Sequence, residues 1–177
     1  MYLVSIYFDE KTNQRIKSYI KQVAEKSGNH YMLEGNVPPH ITVSAFETQD
    51  ESAAIQALEE VVQKLSSGML QWASVGQFFP YVIYTAPVLN AYLHEMSERV
   101  YEGLKNLEQV KISPYYRPFQ WLPHTTLGKK LSKDEMKAAF ESLQNSFGMF
   151  SGEVVKIGLA KTNPYRDIVN WNLEKDR

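Results

Sequence analysis

The chain has 177 residues, no cysteine, 44% hydrophobic and 22% charged residues, and a formal net charge of −1. That composition fits one globular domain with a sizeable core and sets aside the disordered class. The missing thiols exclude disulfides, thiolate nucleophiles and zinc–thiolate sites, and the near-neutral charge argues against a protein that coats long nucleic acid through many phosphate contacts.

Residues 2–8, YLVSIYF, read as a buried strand. The opening MYLVSIYFDE lacks the basic leader and small-residue cleavage site of a signal peptide, and no apolar run is long enough to span a bilayer, so a cytoplasmic protein without a membrane partner is expected. Asp9 suits the N-cap of a helix whose core face is Ile16, Tyr19, Ile20 and Val23, and Gly28 suits its end. A loop rich in Gly, Asn and Pro leads to a strand at His40–Phe46. A helix carrying Ile55, Leu58, Val62 and Leu65 follows, stopped by Gly68, and then strands at about 69–79 and 81–88.

The same order then returns. A helix carries Leu93, Met96, Val100, Leu104 and Leu107, and a loop with Pro114 and Pro118 leads to a strand at His124–Lys130. Ser132 and Glu135 form a capping box for a helix with Met136, Phe140, Leu143 and Phe147, stopped by Gly148. Strands at about 153–161 and 167–173 close the chain, joined by a turn with Asn163 and Pro164. Gly76 and Gly158, Pro80 and Pro164, and Tyr81 and Tyr165 occupy matching places in the two copies. The expected fold is α+β: two pseudo-symmetric lobes from an internal duplication, each with a mainly antiparallel sheet and two helices around a central cleft. The whole chain, 1–177, is read as one bilobed domain, with lobe-forming repeats at about 10–88 and 89–174, and as a monomer. Residues 1–88 carry 6 Lys and Arg against 9 Asp and Glu, and 89–177 carry 13 against 11, which permits a phosphate to be met mainly by the second half.

The middle strand of each copy opens with the same words: 39-PHITV-43 and 123-PHTTL-127, their histidines 84 positions apart. Residues i and i+2 of a strand share a face, so each motif offers an imidazole and a hydroxyl to one point. Two such motifs facing each other supply what in-line displacement at phosphorus needs. A neutral histidine takes a proton from the nucleophile, a protonated one gives a proton to the leaving oxygen, and hydroxyls hydrogen-bond the charged equatorial oxygens. No clustered carboxylates or spaced histidines call for a metal, and no cofactor is expected.

The segments 39-PHITVSAF-46 and 123-PHTTLGKK-130 resemble the paired His-x-Thr motifs of the two-histidine phosphoesterases, a superfamily that includes the 2′-5′ RNA ligase-like proteins and the 2′,3′-cyclic phosphodiesterases. The resemblance extends over nearly the whole chain, including 117-RPFQWLPHTTL-127 and 81-YVIYT-85. It implies a bilobed fold and metal-independent phosphoester chemistry. His40 and His124 would be the catalytic pair, with Thr42, Thr126 and Lys129 binding the phosphate. Two positions depart from the usual pattern. Thr125 stands where an aliphatic is common, and Gly128 follows the leucine; both bear on substrate shape more than on chemistry.

The expected activity is a phosphoesterase acting on 2′,3′-cyclic phosphates or 2′-5′ linkages of RNA ends or small nucleotides. The alternatives are 2′-5′ RNA ligation at the same site and a non-catalytic protein that binds RNA ends or nucleotides. In 114-PYYRPFQWL-122, Tyr115, Tyr116 and Trp121 are candidates to stack on a base and Arg117 to approach a phosphate, with Phe119 packing beneath the loop. Tyr81 and Tyr165 either line the cleft or pack the turns. His30 and His94 lack the threonine and are read as surface or helix-edge residues.

Overall fold

A computed structural model describes residues 1–175; the last two residues of the expected 1–177 domain lie outside it. Its elements are β1 (Tyr2–Phe8), α1 (Glu10–Ser27), the short α2 (Tyr31–Glu34), β2 (Ile41–Glu47), α3 (Glu51–Val62), β3 (Gly68–Phe78) and β4 (Val82–Pro87). Then come α4 (Ala91–Lys105), β5 (Lys111–Ile112), a 3₁₀ turn at Pro114–Tyr116, β6 (Thr125–Gly128), α5 (Lys133–Gln144), β7 (Phe150–Lys161) and β8 (Arg166–Asn172). With the short α2, the two-residue β5 and the 3₁₀ turn set aside, the order helix, strand, helix, strand, strand recurs.

Local chemistry explains the boundaries. The Asp9 carboxylate accepts from Thr12 N, and Gly28 ends α1 in a left-handed conformation, its N–H donating to the Ala24 carbonyl. Both halves of the Ser132–Glu135 capping box form at α5. Three helices stop short of the apolar spacing. Leu65, Leu107 and Phe147 fall beyond α3, α4 and α5, and each packs on the core from the following loop. Gly68 is not a helix stop but the first residue of β3, where the Tyr92 ring lies over it so closely that a Cβ would meet it at 2.5 Å.

All strand pairings are antiparallel, in the order β5-β2-β1-β7-β3-β4-β6, with β8 on β7. The strands fall into two groups, β5-β2-β1-β7-β8 and β3-β4-β6, joined where Gly68–Trp72 pairs with Phe150–Val154. The groups do not follow the contiguous halves 10–88 and 89–174. β7, from the second half, pairs with β1, and β6, also from the second half, pairs with β4. Helices cross over as well, since α1 packs on α5 and against β6, while α4 packs on α3 and against β2. The long β7 makes this possible: its first residues pair with β3 and its remainder with β1 and β8.

Trp72 sits at the junction, fully buried, edge-on to Phe8 (4.9 Å) and stacked on Phe150 (5.0 Å). Core residues alternate along β1: Tyr2, Val4, Ile6 and Phe8 face the helices, which leaves Ser5 and Tyr7 on the opposite face. That second face carries the site.

Candidate active site

His40 and His124 stand immediately before β2 and β6, and the two settings match closely. His40 Nδ1 lies 2.8 Å from the Pro38 carbonyl oxygen, and His124 Nδ1 lies 2.9 Å from that of Leu122. A carbonyl only accepts, so each Nδ1 carries a hydrogen and each Nε2 is left to exchange a proton. The bonded carbonyl is two residues earlier in both cases, a consequence of the shared Pro-His geometry.

The threonines continue the match. Thr42 pairs with Ser5, which pairs with Gly158, and Thr126 pairs with Tyr84, which pairs with Gly76. Gly158 and Gly76 therefore occupy the same place in two equivalent rows. Each glycine leaves room for a neighbour, the Asn170 side chain over Gly158 and the Tyr84 ring over Gly76. Thr42 Oγ1 is 3.4 Å from Ser5 Oγ.

Electrostatics ties the histidines together. Burial is the main force holding the His40 pKa below that of free imidazole, opposed by the Pro38 carbonyl; the charges of His124 and Lys129 push it further down and Asp167 pushes it up. Burial also lowers His124, against the Leu122 carbonyl. The influence of His124 and Lys129 on His40 puts both within electrostatic reach of it. Lys130 turns away: it has a φ of 59°, and its ammonium lies 4.4 Å from the Tyr31 ring centroid.

The aromatic candidates separate. Tyr115, Tyr116 and Trp121 join Phe78, Leu122 and His124 around a recess of about 490 Å³. Tyr115 is 79% exposed, whereas burial raises the Tyr116 hydroxyl pKa. Trp121 is buried, and its indole N–H donates to the Thr42 carbonyl (3.0 Å), so it anchors the loop to β2 as well as walling the recess. Arg117 is exposed at the end of the 3₁₀ turn.

Phe119 does not pack beneath the loop. It is 80% exposed with a φ of 61°, which turns its ring outward onto His94 at 3.9 Å. Tyr81 lies on the β3–β4 hairpin beside Leu131, Met136 and Phe140, apart from the histidines, whereas Tyr165 reaches the Tyr7 hydroxyl (3.5 Å) and donates to Asp167 (2.8 Å). His30 is exposed, and His94 meets Glu98 at 3.5 Å.

The departures at Thr125 and Gly128 concern the core. The buried Trp72 indole N–H donates to the Thr125 hydroxyl (3.3 Å), a partner no aliphatic supplies. A Cβ on Gly128 would meet Leu131, Ile83 and Val23 at 2.9–3.0 Å, so glycine lets α1 approach β6.

Four cleft residues escaped the sequence reading: Tyr7, 6.1 Å from the His40 ring; Phe78 and Tyr84, 4.7 and 5.4 Å from His124; and Lys156, whose ammonium lies 5.1 Å from the Tyr7 centroid. The one available signal was Ser5 and Tyr7 alternating within an otherwise apolar strand. Among the described residues, no group of three or more His, Cys, Asp or Glu is placed to hold a metal ion, and no helix is long and apolar enough to cross a membrane.

The two imidazoles are thus tethered alike, each with its Nε2 left to exchange a proton and a threonine two residues further on. The model of the 2′-5′ RNA ligase superfamily matches residues 11–166. The chain belongs to that superfamily. A protein of Halalkalibacterium halodurans that bears a provisional phosphoesterase name is 28% identical over 113 residues, a match spanning 60% of this chain and 59% of that one. The chain thus aligns with about three fifths of that relative's length. Among solved structures, Escherichia coli LigT complexed with 3′-AMP is similar with a TM-score of 0.59 at 15% identity, covering 97% of each chain. A Thermus thermophilus protein gives 0.61 at 13% identity, covering 99% of each. At these identities the likeness establishes the α+β fold.

Proposed function

We propose that this member of the superfamily is a metal-independent phosphoesterase that opens 2′,3′-cyclic phosphates, or cleaves 2′-5′ phosphodiesters, on RNA ends or small nucleotides. The observation that carries the reading is the matching setting of His40 and His124: each Nδ1 is tied to the carbonyl two residues before it, which leaves each Nε2 to exchange a proton. One histidine takes the nucleophile's proton and the other protonates the departing ribose oxygen. Thr42 and Thr126 hydrogen-bond the non-bridging oxygens, and Lys129 balances their charge. A base rests in the recess formed by Tyr115, Tyr116 and Trp121. The LigT complexes with 3′-AMP, ATP and phosphate are in keeping with such ligands.

Incubation with nucleoside 2′,3′-cyclic monophosphates in the presence of a chelator tests the proposal. Conversion to a single monophosphate isomer, lost in His40→Ala and in His124→Ala, is the expected result. No turnover of either a cyclic monophosphate or a 2′-5′-linked dinucleotide, or turnover that survives either substitution, refutes it.

A further inference from the structure

Lys156 stands in the cleft with no task in the chemistry proposed above, and its surroundings suit an anion. It pairs with Tyr7 between β7 and β1, so the two side chains share the face that carries Ser5 and Thr42. Its ammonium lies 5.1 Å from the Tyr7 ring centroid, and that ring lies 6.1 Å from the His40 ring. Among the described residues no ion pair joins Lys156 to a carboxylate. Asp167, the acid that acts on His40, pairs with Ala160, further along β7, and takes a hydrogen bond from Tyr165. Asn172 stands directly opposite Lys156 on β8, and the Asn170 side chain lies over Gly158, so two carboxamides share the face of the ammonium.

The other side of the cleft has no such cation. The row of Thr42, Ser5 and Gly158 matches that of Thr126, Tyr84 and Gly76, and two residues along, the places of Tyr7 and Lys156 are taken by Ala86 and Ser74. Lys156 therefore answers to something present on the His40 side alone. Lys129 is the lysine whose charge reaches His40, which leaves Lys156 free to serve a second charge further out.

An ammonium flanked by amide donors is a phosphate-binding group. A ribose carries its base at C1′ and its 5′ carbon at C4′, at opposite ends of the edge that bears the 2′ and 3′ oxygens. With the base towards the recess near His124, the 5′ carbon points towards the His40 side, where Lys156 stands beyond the Tyr7 ring. Resting on the phosphoesterase reading above, we propose that Lys156, with Asn170 and Asn172, binds a second phosphate, the one on the 5′ oxygen of the nucleotide whose 2′,3′ end reacts. That group is a phosphodiester in an RNA strand and a monophosphate in a free nucleotide.

Rates on three substrates test the proposal: a nucleoside 2′,3′-cyclic phosphate with a 5′-hydroxyl, the same compound with a 5′-phosphate, and a dinucleotide ending in the cyclic phosphate. Wild type is expected to favour the 5′-phosphorylated compound about tenfold in kcat/KM, chiefly through KM, as one hydrogen-bonded charge contributes. Lys156→Ala is expected to bring that ratio close to one and Lys156→Arg to restore it, whereas Lys129→Ala slows both compounds and keeps the ratio. Equal kcat/KM for the two compounds in wild type, or a preference that survives Lys156→Ala, overturns the inference. A gain shared by the dinucleotide assigns the second phosphate to an RNA strand, and a gain confined to the 5′-monophosphate assigns it to a free nucleotide. A wild type inactive on all three and on a 2′-5′-linked dinucleotide defeats the parent reading instead. Calorimetry then decides the second site: a nucleoside 3′,5′-bisphosphate is expected to bind about tenfold tighter than the 3′-monophosphate, and to lose that advantage in Lys156→Ala. Equal affinities in wild type overturn it.

Discussion

The segments leading into β2 and β6 hold their histidines alike and surround them differently. Each Nδ1 donates to the carbonyl two residues before it, each threonine sits two residues beyond, and each threonine's row ends on a glycine. The strands alongside diverge. β1 brings a tyrosine beside His40 and a serine beside Thr42, and β3 and β4 give His124 two aromatic rings beside a recess walled mainly by apolar groups. On the proposed function, the matching backbone serves the symmetric part of the task, which is proton exchange across one phosphorus, and the unlike neighbouring side chains distinguish the two sides of the substrate.

Several substitutions break or sharpen this comparison. The largest effect is expected where the two sides are equivalent: His40→Ala and His124→Ala should each lower turnover of a cyclic nucleotide by ~10²–10⁴. Comparable losses support the pairing, and a loss confined to one histidine breaks it. Thr42→Val and Thr126→Val should follow, each with a fall of ~10²–10³ in kcat, because each removes a donor to charge that grows in the transition state. A rise in KM alone would assign the hydroxyls to ground-state binding.

The next tests fall on one side only. Tyr116→Ala should raise KM about tenfold for nucleoside substrates, within the range of one stacked base, and change little for a base-free cyclic phosphate. The pH profile separates the sides further. Burial lowers both imidazoles, so kcat/KM should peak on the acid side of ~6.5, the free imidazole value. Activity falls at low pH as the base is protonated and at high pH as the acid loses its proton, with apparent values belonging to the pair. Lys129→Ala removes a charge that depresses His40 and should move the limb that His40 controls to higher pH, while Asp167→Asn should move that same limb to lower pH. Opposite limbs responding to the two substitutions would contradict the placement of both charges near His40. The smallest contrast is expected at the glycines. Gly76→Ala forces the Tyr84 ring, met at 2.5 Å, towards His124 and should reduce activity and stability, by ~1–3 kcal/mol for the latter. Gly158→Ala is met first by the free end of the Asn170 side chain and should cost less, as chemical denaturation would measure.

Much of this arrangement is legible in the sequence because it is local. Strand β1 coincides with YLVSIYF, the caps at Asp9, Gly28 and Ser132 form as their residue types require, and the His-x-Thr spacing places imidazole and hydroxyl together. What escapes depends on strand register. Tyr7, Phe78, Tyr84 and Lys156 reach the histidines only through pairings between distant segments, which no periodicity reveals. The crossing of strands and helices between the two groups is hidden for the same reason, since β7 has to be long enough to serve both. The apolar spacing overextends the helices at Leu65, Leu107 and Phe147 because loop residues that pack on the core keep the helical spacing of apolar side chains.

The central claim, that one phosphoryl group is held between His40 and His124, is tested most directly by a crystal structure with a nucleoside monophosphate product bound. The account predicts phosphate oxygens within about 3 Å of both Nε2 atoms and of the hydroxyls of Thr42 and Thr126. A phosphate that touches only one histidine, or lies elsewhere on the surface, would contradict it.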